Sequence, residues 1–166
     1  MPKIISSDPY EAEFGVRPVR GVSLFVREFV IDLITAHAEE GYLKNKEVMG
    51  LLTGDILRDD MGMYVKVTNT ATSDLDADEA SVRFSKDSIE KLFRSIDDCG
   101  GSSIVGWYHS HLGIGCYLSD VDIKTHTGIF GMDVGYALVI DPAGSELASF
   151  SCIGGLPEKV SMIILT

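Results

Sequence analysis

The sequence predicts an α/β domain with a mixed central β-sheet flanked by helices, in a single folding unit. Short runs rich in β-forming residues alternate with longer segments of helical periodicity, and no internal repeat is visible. The 166 residues suit one domain with a sizeable core. Hydrophobic residues make up 45% and charged residues 23%, which is typical of globular proteins and argues against disorder.

The first half of the chain predicts an arm, a helix, two strands and a second helix. Residues 1–21 hold three of the five prolines and little periodicity, so we expect an irregular arm before a domain spanning 22–166. From about Ser23, residues recur three and four apart as in a helix with one buried stripe: Phe25, Phe29, Val30, Leu33, Ile34 and His37. "EVMGLLTGDIL" and "MYVKVTNTA" predict strands, and "SKDSIEKLFRSIDDCGG" predicts an amphipathic helix.

The second half predicts four strands and one more helix. "SSIVGWYHSH" is typical of a strand, and "SDVDIKTHTGIF" of a helix. "VGYALVID" and "ELASFSCI" predict two strands joined by the turn "PAGS", and "KVSMIIL" predicts a final strand.

Charge and cysteine content exclude several classes of partner and compartment. The chain has 14 Lys and Arg against 25 Asp and Glu, so its net charge of −11 argues against nucleic acid and against an anionic membrane as partners. No apolar run approaches a membrane span, and the N-terminus lacks a secretion signal. Cys99, Cys116 and Cys152 form an odd set without C-x-x-C, which favours a reducing cytoplasm.

The stretch "GWYHSHLGIGCYLSDVD" gathers side chains that bind metals. On a strand, His109 and His111 project from the same face, about 7 Å apart at the backbone. Ser119 and Asp122 match an N-terminal capping pattern, and the glycines between allow the chain to return tightly, so Asp122 could face the histidines. Two histidines and one carboxylate would leave a fourth position for water, as in a catalytic zinc site.

Each part of this stretch also has a plainer interpretation. An isolated H-x-H on a strand is usually a surface or core pair, and Ser119 with Asp122 is most simply a helix cap. Cys116 is most simply a small buried residue, and it is the alternative ligand if Asp122 is not one. His126 shares a helix face with Asp122 and is either a partner of the site or a surface histidine.

The combined pattern H-x-H-x7-S-x2-D, preceded by a glutamate, resembles the signature of the JAMM (MPN+) zinc metalloproteases. Glu47 in "EVMGLLTGD" is similar to the upstream glutamate of that family, and the resemblance covers about residues 22–153. The residues around the histidines look most like the branch that contains the proteasome-lid deubiquitinase and the signalosome deneddylase, and a stand-alone prokaryotic or archaeal type is expected. Leu112 stands where the family usually has proline, which predicts a changed loop and an intact site.

The resemblance implies a cytidine-deaminase-like MPN fold and a role for each matched residue. His109, His111 and Asp122 would bind Zn²⁺, Glu47 would be the general base, and Ser119 would donate to the oxyanion. The reaction would be hydrolysis of the isopeptide bond between a ubiquitin-like modifier and a lysine. Ubiquitin-like conjugates, and the proteasome or another MPN-type subunit, are the partners that the resemblance implies.

By correspondence with the family, the acidic segment at 72–83 is the candidate for binding the modifier's tail. It is as readily interpreted as a solvated acidic loop. The residues assigned to this role are Thr72, Asp74, Asp76, Asp78, Glu79, Val82 and Phe84.

Two other functions stay open on the sequence. The zinc site could trim C-terminal extensions from ubiquitin-like or sulfur-carrier proteins, or the domain could be a non-catalytic scaffold. Zinc deaminases, whose fold is related, are disfavoured because the chain has neither H-x-E nor P-C-x-x-C.

Overall fold

The computed structural model describes residues 3–5, 17–72, 103–131 and 135–166 of the chain. The helix predicted within residues 85–100 and Cys99 lie outside the described residues. The elements are β1 (Lys3–Ile5), β2 (Leu24–Arg27), α1 (Glu28–Leu43), β3 (Met49–Asp59), β4 (Gly62–Thr72), β5 (Ser103–Ser110), α2 (Asp120–Phe130), β6 (Tyr136–Asp141), β7 (Glu146–Ser151), β8 (Glu158–Lys159) and β9 (Met162–Leu165), with 3₁₀ turns at Pro142–Gly144 and Ile153–Gly155.

The described strands form one mixed sheet in the order β1-β9-β2-β4-β3-β5-β6-β7-β8, which confirms the predicted architecture. The pairs β1–β9, β9–β2, β2–β4 and β5–β6 are parallel, and the pairs β4–β3, β3–β5, β6–β7 and β7–β8 are antiparallel.

The sheet curls so that its two ends approach each other. Strands β8 and β9 lie near opposite ends of the strand order, yet two residues of chain connect them. The backbone N–H of Val160 donates to the carbonyl of Ser149 at 2.9 Å, and the Ser149 hydroxyl donates to the carbonyl of Val160 at 2.8 Å. These two bonds attach the connection between β8 and β9 to β7.

Neither helix in the described part of the chain has the length and apolar composition needed to cross a bilayer.

The two helices cover different faces of the sheet. One buried cluster joins α1 to Leu24, Val26, Leu52, Tyr108, Leu138 and further residues of the central strands. A second cluster lies on the other face and includes Met49, Leu51, Trp107 and Val139, with Ile129 and Phe130 of α2 packed against it. Alternation along β5 therefore sends Trp107 to the α2 face and Tyr108 to the α1 face.

The helix predicted from Ser23 begins later, because a strand precedes it. Leu24, Phe25 and Val26 are all fully buried in β2, which lies between β9 and β4 in parallel pairing. A strand buried on both faces shows a continuous apolar run, and such a run also matches the helical periodicity that continues into α1. Phe25 therefore belongs to the sheet, and α1 begins at Glu28.

The predicted buried stripe of α1 is right at Val30 and Ile34 and wrong at Phe29 and Leu33. Phe29 and Leu33 are 47% and 50% exposed, and the buried face consists of Val30, Ile34, Ala38 and Gly41. Ala38 and Gly41 continue the helical spacing of three and four residues from Ile34. They are less hydrophobic than Phe29 and Leu33, which lie on the exposed side of the helix. His37, interpreted as packing, forms a 2.7 Å hydrogen bond between its Nδ1 and the Tyr108 hydroxyl.

Arg17 attaches the segment before β2 to the end of the β3–β4 hairpin. Its guanidinium donates to both oxygens of Asp59, at 2.7 and 2.8 Å, and to the carbonyls of Val22 and Gly62. The side chains of Arg17 and Asp59 are 4% and 5% exposed, and the hydrogen bond with Arg17 holds the pKa of Asp59 well below its usual range. The domain boundary at residue 22 stays a prediction.

Substitution of Gly50 by alanine is expected to destabilise the protein by about 1–3 kcal/mol, because overpacking forces neighbours to move. A Cβ at Gly50 would lie 2.6 Å from Cε1 of Tyr108, whose ring is buried in the sheet. Urea unfolding with metal chelated measures the effect. Gly128→Ala is the matched control: it adds a methyl to α2 in open space, and we expect it to stabilise by about 0.5–1 kcal/mol. Equal effects of the two substitutions would contradict the packing argument.

Candidate metal centre

The end of β5 places both histidines on the α2 face of the sheet. His109 follows Trp107 by two residues, so its side chain projects from the same face. The backbone N–H of His111 donates to the carbonyl of Ile140 at 2.8 Å, which continues the pairing of β5 with β6 past the assigned strand. His109 and His111 are 2% and 3% exposed.

The first turn of α2 brings Asp122 to the histidines. The Ser119 side chain accepts from the backbone N–H of Asp122 at 3.2 Å, and Oδ2 of Asp122 accepts from the backbone N–H of Ser119 at 2.9 Å. This is the predicted capping box at the N-terminus of the helix. Gly113 and Gly115 adopt φ angles of +88° and +86°, which lets the connecting loop turn back as expected.

Three ligand atoms converge at this place. Nε2 of His109 lies 3.2 Å from Nε2 of His111 and 3.0 Å from Oδ2 of Asp122, and the third distance, from His111 Nε2 to Asp122 Oδ2, is 3.4 Å. A tetrahedral zinc with bonds of about 2.0–2.2 Å needs its ligand atoms about 3.3–3.6 Å apart. The donors therefore fit one small divalent cation after shifts of a few tenths of an ångström. In the described part of the chain, no other group of three or more His, Cys, Asp or Glu converges in this way.

Hydrogen bonding fixes the orientation of one imidazole and packing that of the other. Nδ1 of His111 lies 2.7 Å from the carbonyl of Gly115, and because a carbonyl only accepts, Nδ1 carries a proton, so in the neutral ring Nε2 has the free electron pair. The ring of His109 stacks on Trp107 with centroids 4.6 Å apart and planes 16° apart. Nδ1 of His109 is buried and has no hydrogen-bond partner among the described contacts.

The electrostatics favour a bound cation. Burial lowers the pKa of His109, since an imidazolium is poorly solvated there. At His111 burial acts in the same direction, but hydrogen bonds to Asp122 and Gly115 outweigh it and the pKa is raised. Burial disfavours the charged form of Asp122, yet its hydrogen bonds with the two histidines hold its pKa below the usual range. The site thus contains an ionised carboxylate beside two imidazole nitrogens.

Glu47 lies just before β3, next to this cluster. Met49 pairs with His109 in the antiparallel ladder, and the backbone N–H of Ser110 donates to the carbonyl of Val48 at 2.9 Å. The same register, continued by two residues along each strand, sets Glu47 across from His111. Glu47 is half-buried, and its negative charge contributes to the raised pKa of His111. The structure therefore places Glu47 close enough to His111, one of the three candidate ligands, to affect its pKa.

His126 is buried and supports the site from behind. It is 0% exposed, and its Nδ1 accepts from Nε1 of Trp107 at 3.0 Å. Because Trp107 stacks on His109, the imidazole of His126 fixes the indole that covers one candidate ligand. Burial lowers the pKa of His126 to about 4, so it is neutral at pH 7. The surface alternative for this residue is wrong.

Other sequence-predicted residues lie elsewhere or outside the description. The Cys116 thiol donates to the carbonyl of Val139 at 3.3 Å, and its sulfur is not part of the cluster. Burial raises the pKa of that thiol to about 11. Thr72 ends β4 and pairs through its backbone with Gly50. The remaining candidates for tail binding lie outside the described residues: Asp74, Asp76, Asp78, Glu79, Val82 and Phe84.

Sequence reasoning missed two residues that organise the site, Trp107 and Asp141. Trp107 shares the two-residue alternation with His109 and His111, a signal that was available. Asp141 ends β6 directly before Pro142, and its carboxylate accepts from backbone N–H groups of the loop between the histidines and Ser119. An aspartate before proline commonly marks a turn, but nothing in the sequence links it to a loop more than twenty residues earlier.

A family model described as "JAB1/Mov34/MPN/PAD-1 ubiquitin protease" matches residues 22–133, more than half of the chain. The chain is similar to subunit 5 of the COP9 signalosome complex from several organisms. The protein from Kluyveromyces lactis is 29% identical over 157 residues, covering 91% of this chain and 40% of its own length. The protein from Caenorhabditis elegans is 33% identical over 126 residues, covering 73% of this chain and 33% of its own length.

A solved structure has a similar fold. A protein of Desulfitobacterium hafniense, whose solution structure is known, superposes with a TM-score of 0.63 at 22% identity, covering 85% of this chain and 92% of that one. The chain spans 40% or less of the length of the two signalosome relatives.

The buried His126 predicts a pH dependence of stability. An unfolded histidine has a pKa of about 6.5, and the folded value is about 4. The unfolded state therefore binds a proton first, so this contribution is complete above about pH 6.5 and is lost as pH falls toward about 4. Between pH 6.5 and 5, His126→Gln should lose about 1–2 kcal/mol less stability than the parent.

Urea unfolding of chelated protein, followed by emission of Trp107, the one tryptophan in the sequence, measures this difference. Glutamine retains an acceptor for the indole N–H and does not titrate, so it isolates the proton from the hydrogen bond. Identical pH profiles for the parent and His126→Gln would show that His126 is not buried in its neutral form.

Proposed function

This chain belongs to the JAB1/Mov34/MPN/PAD-1 ubiquitin protease family, and we propose on that basis that it is a zinc-dependent isopeptidase. Its substrates would be lysine conjugates of ubiquitin or of a ubiquitin-like modifier. The observation that carries the proposal is the convergence of His109, His111 and Asp122, with the charge of Glu47 close enough to affect the pKa of His111.

The donor set supports zinc as the metal. His109, His111 and Asp122 would bind it through two imidazole nitrogens and one carboxylate oxygen, and three protein ligands with an open position are typical of catalytic zinc. When bound, zinc would supply the Lewis acidity that activates water near neutral pH and polarises the scissile carbonyl. Asp122 Oδ2 already accepts from Ser119 N–H, which would keep it oriented toward the metal.

Glu47 and Ser119 would perform the proton transfer and the charge stabilisation. Glu47 would accept a proton from the attacking water and later deliver it to the lysine nitrogen as the C–N bond breaks, so that the nitrogen leaves as a neutral amine and the base is regenerated. The Ser119 hydroxyl oxygen accepts from Asp122 N–H, and its own proton makes no described contact, so it can donate to the oxyanion of the tetrahedral intermediate. The N-terminus of α2 adds a favourable field for that negative charge.

The names of the family and of the relatives suggest the modifier and the partner subunits that we propose for this chain. The family description names a ubiquitin protease, and the relatives carry the name of a subunit of the COP9 signalosome complex. Ubiquitin-like conjugates are therefore the proposed substrates, and another MPN-type subunit or the proteasome a proposed partner. Cys116 and Cys152 are free thiols, which supports a reducing compartment such as the cytoplasm.

The chain should bind about one zinc per molecule, and the double substitution of His109 and His111 by alanine should abolish binding. Elemental analysis after dialysis against trace zinc measures the stoichiometry. Replacement of Cys116 by alanine is the matched control, because it removes the nearby thiol that lies outside the cluster. Full zinc content in the double variant would place the metal elsewhere.

Substitution of Glu47 by glutamine should reduce cleavage by about 10²–10⁴ while zinc content and melting temperature stay near the parent values. Glutamine preserves the shape and a hydrogen bond but cannot take the proton. Rates are measured on an isopeptide-linked ubiquitin-like conjugate. Glu39→Gln, on the exposed side of α1, is the control for loss of one negative charge.

Undiminished cleavage by Glu47→Gln would sink the proposed mechanism even with zinc in place. An isopeptide-linked conjugate and a C-terminally extended modifier precursor are offered to the enzyme in parallel.

A parent protein that binds zinc and cuts neither of these two substrates would favour the non-catalytic scaffold. Cleavage of the precursor alone would favour the trimming protease.

A further inference from the structure

Asp141 is a buried acid at the end of β6 whose carboxylate is occupied by backbone donors. It is 1% exposed. Oδ1 accepts from the N–H of Gly113 at 2.9 Å and from the N–H of Ala143 at 3.2 Å, and Oδ2 accepts from the N–H of Gly115 at 2.7 Å. Burial of a carboxylate is costly unless hydrogen bonds satisfy it, so these three bonds are strong constraints on the two chain segments that they join.

Two of the three bonds fix the loop that follows His111. Gly113 and Gly115 both have positive φ angles, so their N–H groups point to the same carboxylate from a backbone path that other residues rarely adopt. Asp141 thereby holds a segment that has no helix or strand of its own. Without it, the loop would keep the contact of the Gly115 carbonyl with His111 and that of the Cys116 thiol with Val139, but it would lose both of these N–H bonds.

Gly115 connects Asp141 to the candidate metal ligand. Its N–H donates to Asp141 at 2.7 Å, and its carbonyl accepts from Nδ1 of His111, also at 2.7 Å. The backbone N–H and C=O of Gly115 therefore both form hydrogen bonds, one to Asp141 and the other to His111. The position of the carbonyl that selects the Nδ1–H tautomer of His111 depends on the bond to Asp141.

We propose that Asp141 is a positioning residue for His111, acting through Gly115. It holds the carbonyl that selects the Nδ1–H tautomer of the neutral ring, so that Nε2 of His111 has the free electron pair and is directed at His109 and Asp122. Groups that orient a metal-binding histidine affect metal affinity by about 10–100-fold. The inference rests on the proposed zinc site for its functional consequence, while the tautomer is a property of the chain without metal.

The two oxygens of Asp141 have separable tasks, and this makes a sharp substitution possible. Oδ1 accepts from Ala143 and Gly113, and Oδ2 accepts from Gly115. In Asp141→Asn, the amide oxygen can keep the two contacts of Oδ1, and the amide NH₂ then faces the N–H of Gly115. A donor opposite a donor repels, so the variant breaks the contact toward His111 and retains the turn after β6.

The matched control is Glu146→Gln. Oε2 of Glu146 lies 4.0 Å from the position of a Cβ on Gly115, so this exposed side chain carries a negative charge beside the same loop. Among the described contacts it makes no hydrogen bond to that loop. Its substitution removes one negative charge near Gly115, as Asp141→Asn does, and leaves the three backbone bonds intact.

The test combines zinc affinity with the tautomer of His111. Zinc dissociation constants of the full-length parent, Asp141→Asn and Glu146→Gln are measured by competition with a chromophoric chelator, well below each melting temperature. Imidazole ¹⁵N shifts of the chelated proteins, at a pH where the four histidines are neutral, report the tautomer. We expect the Nδ1–H form of His111 in the parent and in Glu146→Gln. In Asp141→Asn we expect a mixture of tautomers and zinc binding weaker by about 10–100-fold.

An unchanged tautomer with unchanged zinc affinity in folded Asp141→Asn would overturn the inference and leave the proposed function standing. A parent in which His111 is protonated on Nε2 would also overturn it. If the asparagine variant does not fold, Asp141→Glu, which keeps the charge and displaces the carboxylate by one methylene, is judged by the same criteria. A parent with the Nδ1–H tautomer that binds no zinc would sink the proposed metal function and support the positioning contact.

Discussion

Three electron-pair donors face one another in a space that is nearly closed to water, and the rest of the site follows from that constraint. His109, His111 and Asp122 hold their donor atoms 3.0–3.4 Å apart. Two imidazole nitrogens with free electron pairs would repel at this distance unless a proton or a metal ion lay between them. The hydrogen bonds with the histidines lower the pKa of Asp122, so the geometry and the charge of this group suit a cation.

The sheet meets this constraint by dividing the two faces of β5. Tyr108 packs with the α1 cluster, and Gly50 opposite it leaves room for the aromatic ring. Trp107 and His109 project to the other face, where His126 of α2 accepts the indole N–H. Because side chains alternate along the strand, one face of β5 packs on α1 and the other holds the candidate ligands. The stacking of the Trp107 and His109 rings limits how far His109 can rotate.

The convergence of the three candidate ligands and the positions of most of the strands were predictable because the sequence signals for them are local. H-x-H on a strand and Ser-x-x-Asp before a helix each specify geometry within a few residues, and both are found as expected. The errors came where tertiary structure decides. Leu24–Arg27 has an apolar run that suits a helix or a buried strand, and pairing with β9 and β4 selects the strand. Phe29 is exposed because Val30 and Ala38 define the face that meets the sheet.

The contacts around the ligands were beyond local reasoning, since they join distant parts of the chain. Asp141 reaches Gly115 across 26 positions, and Trp107 reaches His126 across 19. Asp141 illustrates why such residues escape a motif search. Its partners are backbone N–H groups, which every residue except proline provides, so the loop sequence does not identify the side chain that holds it.

The hydrogen bonds of the capping box both begin α2 and fix the position of the Asp122 side chain. Oδ2 of Asp122 accepts from the N–H of Ser119, and this is the same oxygen that faces the two histidines. One electron pair therefore serves the helix while another is directed at the site, and the carboxylate cannot rotate away without releasing the helix terminus. Because the hydroxyl of Ser119 accepts from Asp122 N–H in return, the two residues fix each other. An order of residues that looks like ordinary helix capping is thus also what orients a candidate ligand, and neither role can be assigned from the sequence pattern without the histidines opposite.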